Sequence, residues 1–198
     1  PPSDFQNSFN SSVRLHNGIF DSGTYLLSFV QGKFLEGNGT VLGPLRVDGG
    51  KIDPQASDGG PYGVLNVVGN AEFANAAEVV VDVGGTGPAQ HDRLNISGST
   101  LWSKIRPRVR MLGGYAPTID TSIAIATHGS VIAPSVSLHD RVFSDYPLSL
   151  ALRTSATQLD LRVVPTLTIA DTAVIEGNSG SQVMQVSVTL SAATTQTV

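Results

Sequence analysis

Short aliphatic runs, each about four to six residues long, recur along the chain and are closed by glycine, proline or asparagine. Alternation of apolar and polar positions predicts strands at Ser12–Leu15, Tyr25–Val30, Leu45–Asp48, Val64–Val68, Glu78–Val83 and Arg93–Ser97. Further strands are predicted at Arg108–Leu112, Ser122–Ala126, Ser130–Ile132, Leu148–Arg153 and Leu159–Val163. No stretch carries a convincing helical period. The best helical candidate, Asn70 to Val83, contains Ala71, Ala74, Ala76 and Ala77. It ends in Val79-Val80-Val81-Asp82-Val83, whose β-branched side chains favour a strand.

The strands share a grammar. Gly63-Val-Leu-Asn-Val-Val-Gly69 and Asp92-Arg-Leu-Asn-Ile-Ser-Gly98 each run from an aliphatic alternation into a closing glycine, as does Leu45-Arg-Val-Asp-Gly-Gly50. Their separation of about 20 to 30 residues is that of stacked solenoid repeats. In such a stack Leu65, Val67, Leu94 and Ile96 point inward, and Asn66, Asn95 and Ser97 point outward. The 21 glycines and 11 prolines are scattered rather than gathered into linkers, so they read as tight turns between many short strands.

Composition narrows the chemistry. The absence of cysteine excludes disulfides, thiol nucleophiles and cysteine-ligated metals. A net charge of −4 gives no overall attraction to nucleic acid, and no apolar run is long enough to span a bilayer. His16, His91, His128 and His139 show no metal-ligand spacing. His91-Asp92, the one adjacent His–carboxylate pair, reads as part of a turn. Gly177-Asn-Ser179-Gly180 misses the nucleophile-elbow pattern by one place, and Gly37-Asn-Gly39 reads as a corner rather than a phosphate cradle. Sequons at Asn10, Asn38 and Asn95 are unremarkable in a chain rich in Asn, Ser and Thr.

Two polar groupings remain. Asp48, Asp53 and Asp58, spaced five apart near glycine-rich corners, are the best candidates for paired carboxylates acting on a polysaccharide. Aspartate in such turns is ordinarily structural, bonding its own backbone. Lys104-Ile-Arg106-Pro-Arg108-Val-Arg110 places four cations on one strand face, about 6.6 Å apart. Such a row binds a polyanion, or it faces carboxylates on a neighbouring repeat; Glu78 and Asp82 have the matching parity. The second expectation is preferred. Pro107, lacking an amide donor, predicts an imperfect or edge strand.

Taken in order, the motifs of residues 30–164 resemble the β-helical repeat region of bacterial autotransporter passengers and related large exported proteins. The order is Gly37-Asn-Gly39-Thr-Val41, Gly49-Gly50, Asp53-Pro54, Gly63–Gly69, Val79–Val83, Asp92–Gly98 and Gly114-Tyr115-Ala-Pro117. The match weakens from Thr127 to Asp160. Thr166-Leu-Thr-Ile-Ala-Asp, Glu176-Gly-Asn-Ser-Gly180 and Val183–Leu190-Ser-Ala-Ala then resemble the opening of a Calx-beta domain. The resemblances imply an all-β chain: a right-handed parallel β-helix over 1–164, and the first strands of an incomplete immunoglobulin-like sandwich over 165–198. Met184, Val186, Val188 and Leu190 would form one apolar face, either docked on the end of the helix or exposed. The chain would be a window from a longer modular protein, bacterial and extracellular or at the cell surface. Its expected role is that of a structural spacer or adhesion segment without catalytic activity. A polysaccharide-acting β-helix enzyme, or a glycan- or polyanion-binding module using Lys104, Arg106, Arg108 and Arg110, is the alternative. The implied partners are neighbouring domains of the same polypeptide and extracellular glycans or host-surface molecules, not nucleic acid or an inserted membrane. No cofactor is expected of the β-helix. Calcium is implied only through Glu176, and only in a complete Calx-beta domain.

Overall fold

The computed structural model describes residues 11–55, 60–132, 143–144, 149–173, 180–181 and 183–193. Asp58, Glu176 and His139 lie outside the described residues. Among the described residues the chain is all-β, with no helix. The Asn70–Val83 stretch forms strands β7 (Ala71–Ala74) and β8 (Ala77–Val83). They are split by a tight turn in which Asn75 and Ala76 both have positive φ, 53° and 64°. Burial of alternate side chains outweighs the helix propensity of the alanines.

Most strands join three parallel ladders that the chain visits repeatedly in the same order. The first ladder is built by the opening residues of β1 (Val13–Asp21) and β3 (Phe34–Leu42), then β5 (Lys51–Asp53), β8, β10 (Ile105–Met111) and β12 (Phe143–Ser144). The second uses the closing residues of β1 and β3, then β6 (Val64–Val68), the start of β9 (Arg93–Trp102) and β11 (Ser122–Val131). The third comprises β2 (Leu27–Val30), β4 (Leu45–Asp48), β7 and the end of β9. Gly37 and Gly39 sit inside β3, where its pairing passes from β5 to β6, so the corner read from the sequence falls within a continuous strand.

Because registers match, like side chains stack. Phe29, Val47, Phe73 and Trp102 form one inward column of the third ladder, each essentially inaccessible to solvent, with the Phe73 and Trp102 rings stacked at 4.4 Å. Val41, Val67 and Ile96 form another in the second ladder. The inward residues expected from sequence, Leu65, Val67, Leu94 and Ile96, are all buried. Outward, Asn95 donates to Asn66 at 3.0 Å and Thr127 to Asn95 at 3.1 Å, so polar side chains stack as well.

Glycine sets the approach of successive passes at the corner between the second and third ladders. A Cβ on Gly69 would lie 2.5 Å from the Gly43 carbonyl oxygen; on Gly98, 2.5 Å from that of Gly69; on Gly129, 2.5 Å from that of Ser97. Only a residue without a Cβ lets the backbones come this close.

The last passes depart from the parallel pattern expected through residue 164. β14 (Gln158–Val164) runs antiparallel to β11, and β13 (Ser149–Thr154) runs antiparallel to β14. The connection between β13 and β14 has only Ser155, Ala156 and Thr157. A parallel crossover needs a dozen residues or more, so a hairpin is the available solution. Leu152, Leu159, Leu161 and Val163 cover the end of the core. β15 (Leu167–Ile169) and β16 (Val188–Leu190) form a separate two-stranded antiparallel sheet. Of the two expectations for the tail, exposure is the one observed: Met184, Val186, Val188 and Leu190 all face solvent.

We predict that Gly98→Ala lowers stability by roughly 1–3 kcal/mol, because the added methyl meets the Gly69 carbonyl backbone as well as the Asn70 side-chain oxygen. Urea denaturation checks this. A midpoint equal to that of the parent protein would show that the corner is not closely packed.

Candidate functional site

The largest collection of ionisable groups lies on the outward face of the first ladder. Strand alternation builds it. Along β10 the side chains of Ile105, Pro107 and Val109 are buried, while Arg106 and Arg108 are exposed and Arg110 is half-exposed. Lys104, one residue before the strand, is half-buried. The four cations expected to share one face therefore follow the expected parity over the strand itself.

Register then decides what they face. β10 pairs with β8 over seven consecutive positions, setting Arg106 beside Glu78 and Arg110 beside Asp82. Arg110 grips the Asp82 carboxylate with two guanidinium nitrogens, Nη2 at 2.8 Å from Oδ2 and Nε on Oδ1. That hydrogen bond is the main reason Arg110 titrates above its ordinary value. Arg108 reaches Glu78 only loosely, at 3.7 Å. The carboxylate partners chosen from sequence parity, Glu78 and Asp82, are the ones that meet the arginines. Pro107 lies opposite Val79 within this unbroken register, so its missing amide does not interrupt pairing with β8. On the other side β12 pairs only with Arg108 and Val109.

The face continues onto earlier strands. Glu36 takes hydrogen bonds from Arg14 on β1 and, at 2.9 Å, from Lys51 on β5. Burial works against its ionised form, but these two cations outweigh it and hold the carboxyl below the usual range. Both cations also lie over the Phe34 ring, 5.4 Å and 5.3 Å from its centre. Asp53 is buried beside Lys51, with Oδ2 at 3.5 Å from Nζ and Oδ1 unpaired. Its pKa is raised by burial, against the pull of Lys51 and Arg110.

Asp92 is fully buried. Its Oδ1 accepts from the Gly63 amide at 2.7 Å and its Oδ2 from the Asp82 amide at 2.9 Å. It thereby ties the start of β9 to β8 and to the entry of β6. Burial pushes the carboxyl up to about 7, partly offset by those two amides and reinforced by Asp82 and Asp53 nearby.

The remaining residues singled out in the sequence do not converge here. His91 has no contact with the Asp92 carboxylate. Its Nδ1 faces the Gly85 carbonyl at 3.3 Å and its Nε2 the Ala124 carbonyl at 3.1 Å, so it joins its own turn to strand β11. His128 is buried 6.2 Å from the Trp102 ring. Burial lowers the pKa of both histidines. Asp48 belongs to the third ladder, where it bonds Asn75 and Arg46, so the structure separates it from Asp53 on the first. No group of three or more metal-ligating side chains is present among the described residues. Sequence reasoning missed Glu36, Lys51 and the anchoring role of Asp92. Glu36 and Lys51 sit in strands too glycine-rich or too short to be read, and only register shows that Arg14 flanks them.

Comparison with known proteins identifies no relative: no protein-family model and no curated protein matches the chain.

The Asp92 carboxyl gives a pH prediction. Its folded value lies above the ordinary 3.8, so the folded state holds the proton more tightly than the unfolded chain. This group favours folding most at low pH and loses that contribution as pH rises from 3.8 to about 7. The buried histidines act in the opposite sense, disfavouring folding as pH falls below 6.5. Comparing the parent protein with Asp92→Asn isolates the carboxyl. The variant gains stability relative to the parent as pH rises through that window, read from urea midpoints across a pH series. A difference that stays constant with pH would show that Asp92 titrates no differently in the fold.

Proposed function

We propose that this chain is a structural spacer: a right-handed parallel β-helix serving as a stalk or adhesion segment of a larger bacterial surface or secreted protein. The observation that carries the reading is the threefold repetition of parallel ladders in the same order, with aliphatic and aromatic columns continuous from pass to pass. Such stacking advances about 4.8 Å per pass and uses every side chain of the interior for support. Right-handedness follows from the preference of parallel crossovers. A transverse load then falls on many backbone hydrogen bonds and a shared core at once.

The chemistry of the outward face agrees with this role. Asp82 and Glu36 are held by cations, Asp92 by backbone amides, and Asp48 lies on a different ladder from Asp53. Cleavage of a glycosidic bond requires two carboxyls flanking it, and the expected candidates Asp48 and Asp53 stand on different ladders. In the same reading residues 165–198 begin an immunoglobulin-like module, whose exposed Val186, Val188 and Leu190 await a partner sheet.

The test is incubation with neutral, uronate-containing and sulfated polysaccharides, following release of reducing ends and of unsaturated uronate. The spacer releases neither. Release that is lost in Asp53→Asn would replace this reading with that of a polysaccharide-acting enzyme.

A further inference from the structure

The ions of the first ladder are sorted by depth. The carboxylates lie low: the side chains of Glu36 and Asp82 are 11% and 7% exposed. The cations that neutralise them lie above, Arg14 at 67% and Arg110 at 41% exposed, and Arg108, 59% exposed, likewise stands above Glu78 at 27%. The long aliphatic stems of arginine reach over the short acids, leaving the guanidinium groups as the outer layer. A chain with net charge −4 thus presents one cationic surface, running from Arg14 on β1 across Lys51 on β5 to Arg106, Arg108 and Arg110 on β10.

Two of these cations, Arg14 and Arg108, retain capacity to bind. Arg14 uses only Nε on Glu36, leaving its terminal nitrogens to solvent. Among the described residues the Arg108 side chain makes one charged contact, the 3.7 Å approach to Glu78. A planar guanidinium with open donors matches sulfate or carboxylate in bidentate fashion. The cations also recur along the stacking direction, four strand spacings separating Arg14 from Arg108, or about 19 Å.

We infer that this face binds a linear anionic polysaccharide, sulfated or uronate-bearing, laid across the strands from Arg14 to Arg108. The partner is a polysaccharide rather than a nucleic acid because, among the described side chains of this face, the aromatic ring of Phe34 is occupied by Arg14 and Lys51 rather than open to a base. This inference adds a ligand to the spacer and does not depend on the spacer reading being correct.

The experiment is titration of the purified chain with a size-defined heparin oligosaccharide, its desulfated counterpart, polygalacturonate and single-stranded DNA, at low and physiological salt. Heparin or polygalacturonate binds and weakens steeply with salt, while the desulfated oligosaccharide, left with only its uronate carboxylates, binds more weakly than heparin. Replacing Arg106 and Arg108 together by Ala weakens binding about tenfold or more at low salt, with melting temperature as a check on folding. Arg153→Ala removes the same charge from β13, off this face, and changes binding less than about twofold. Equal losses from the two variants, absence of binding at low salt, or preference for DNA would each overturn the inference.

Discussion

The rest of the structure depends on how closely one pass of backbone can lie on the next. At the corner between the second and third ladders, Gly69, Gly98 and Gly129 each rest on a carbonyl one pass earlier, with no room for a Cβ. That contact fixes the relative height of successive passes. Once height is fixed, register follows on both sides of the corner. Val67 meets Ile96 in the second ladder and Phe73 meets Trp102 in the third. A one-residue slip would turn each inward column outward. The glycine corner and the apolar columns therefore select the same alignment, and local and global preferences agree.

The same alignment organises charge. Arg110 meets Asp82, and Arg14 meets Glu36, because their strands are held in register by the core beneath. A row of arginines on a strand is unfavourable by itself and tolerable beside a row of acids. Here the acids sit at the level of the sheet, where an unpaired carboxylate is costly, and the cations reach across them from neighbouring strands. Asp92 is neutralised differently. It lies among other carboxyls with two amides as its direct partners, and its raised pKa is the consequence.

Much of this was legible in the sequence, for identifiable reasons. Val64–Val68 and Leu45–Asp48 coincide with observed strands because alternation and terminal glycines both mark them. The pairing of Glu78 and Asp82 with the arginines was legible because parity within a strand survives small errors in its ends. What escaped detection were β3 and β5, and the joining of Ser122–Ala126 and Ser130–Ile132 into one strand, β11. In β3, Gly37 and Gly39 read as punctuation although they lie within the strand. Glycine there marks close approach to β1 rather than an end: a Cβ on Gly37 would lie 2.0 Å from the Leu15 carbonyl oxygen. Nor can alternation alone separate a parallel pass from an antiparallel hairpin. The information in β13 and β14 lay in the three-residue connection, not in the strands.

The depth ordering of the ions bears on how a supporting element can also carry a binding surface. Where acids and cations alternate at one level, a ligand must break ion pairs to bind, and the fold weakens as the ligand is bound. On the first ladder the buried carboxylates are satisfied by cations reaching over them from neighbouring strands, and the more exposed guanidinium groups form the outer layer. In the proposed binding mode, support and recognition draw on different atoms of the same side chains. Arg108 is the extreme case, held by its place on β10 rather than by a strong ion pair, so its charge can change without disturbing the register that places it.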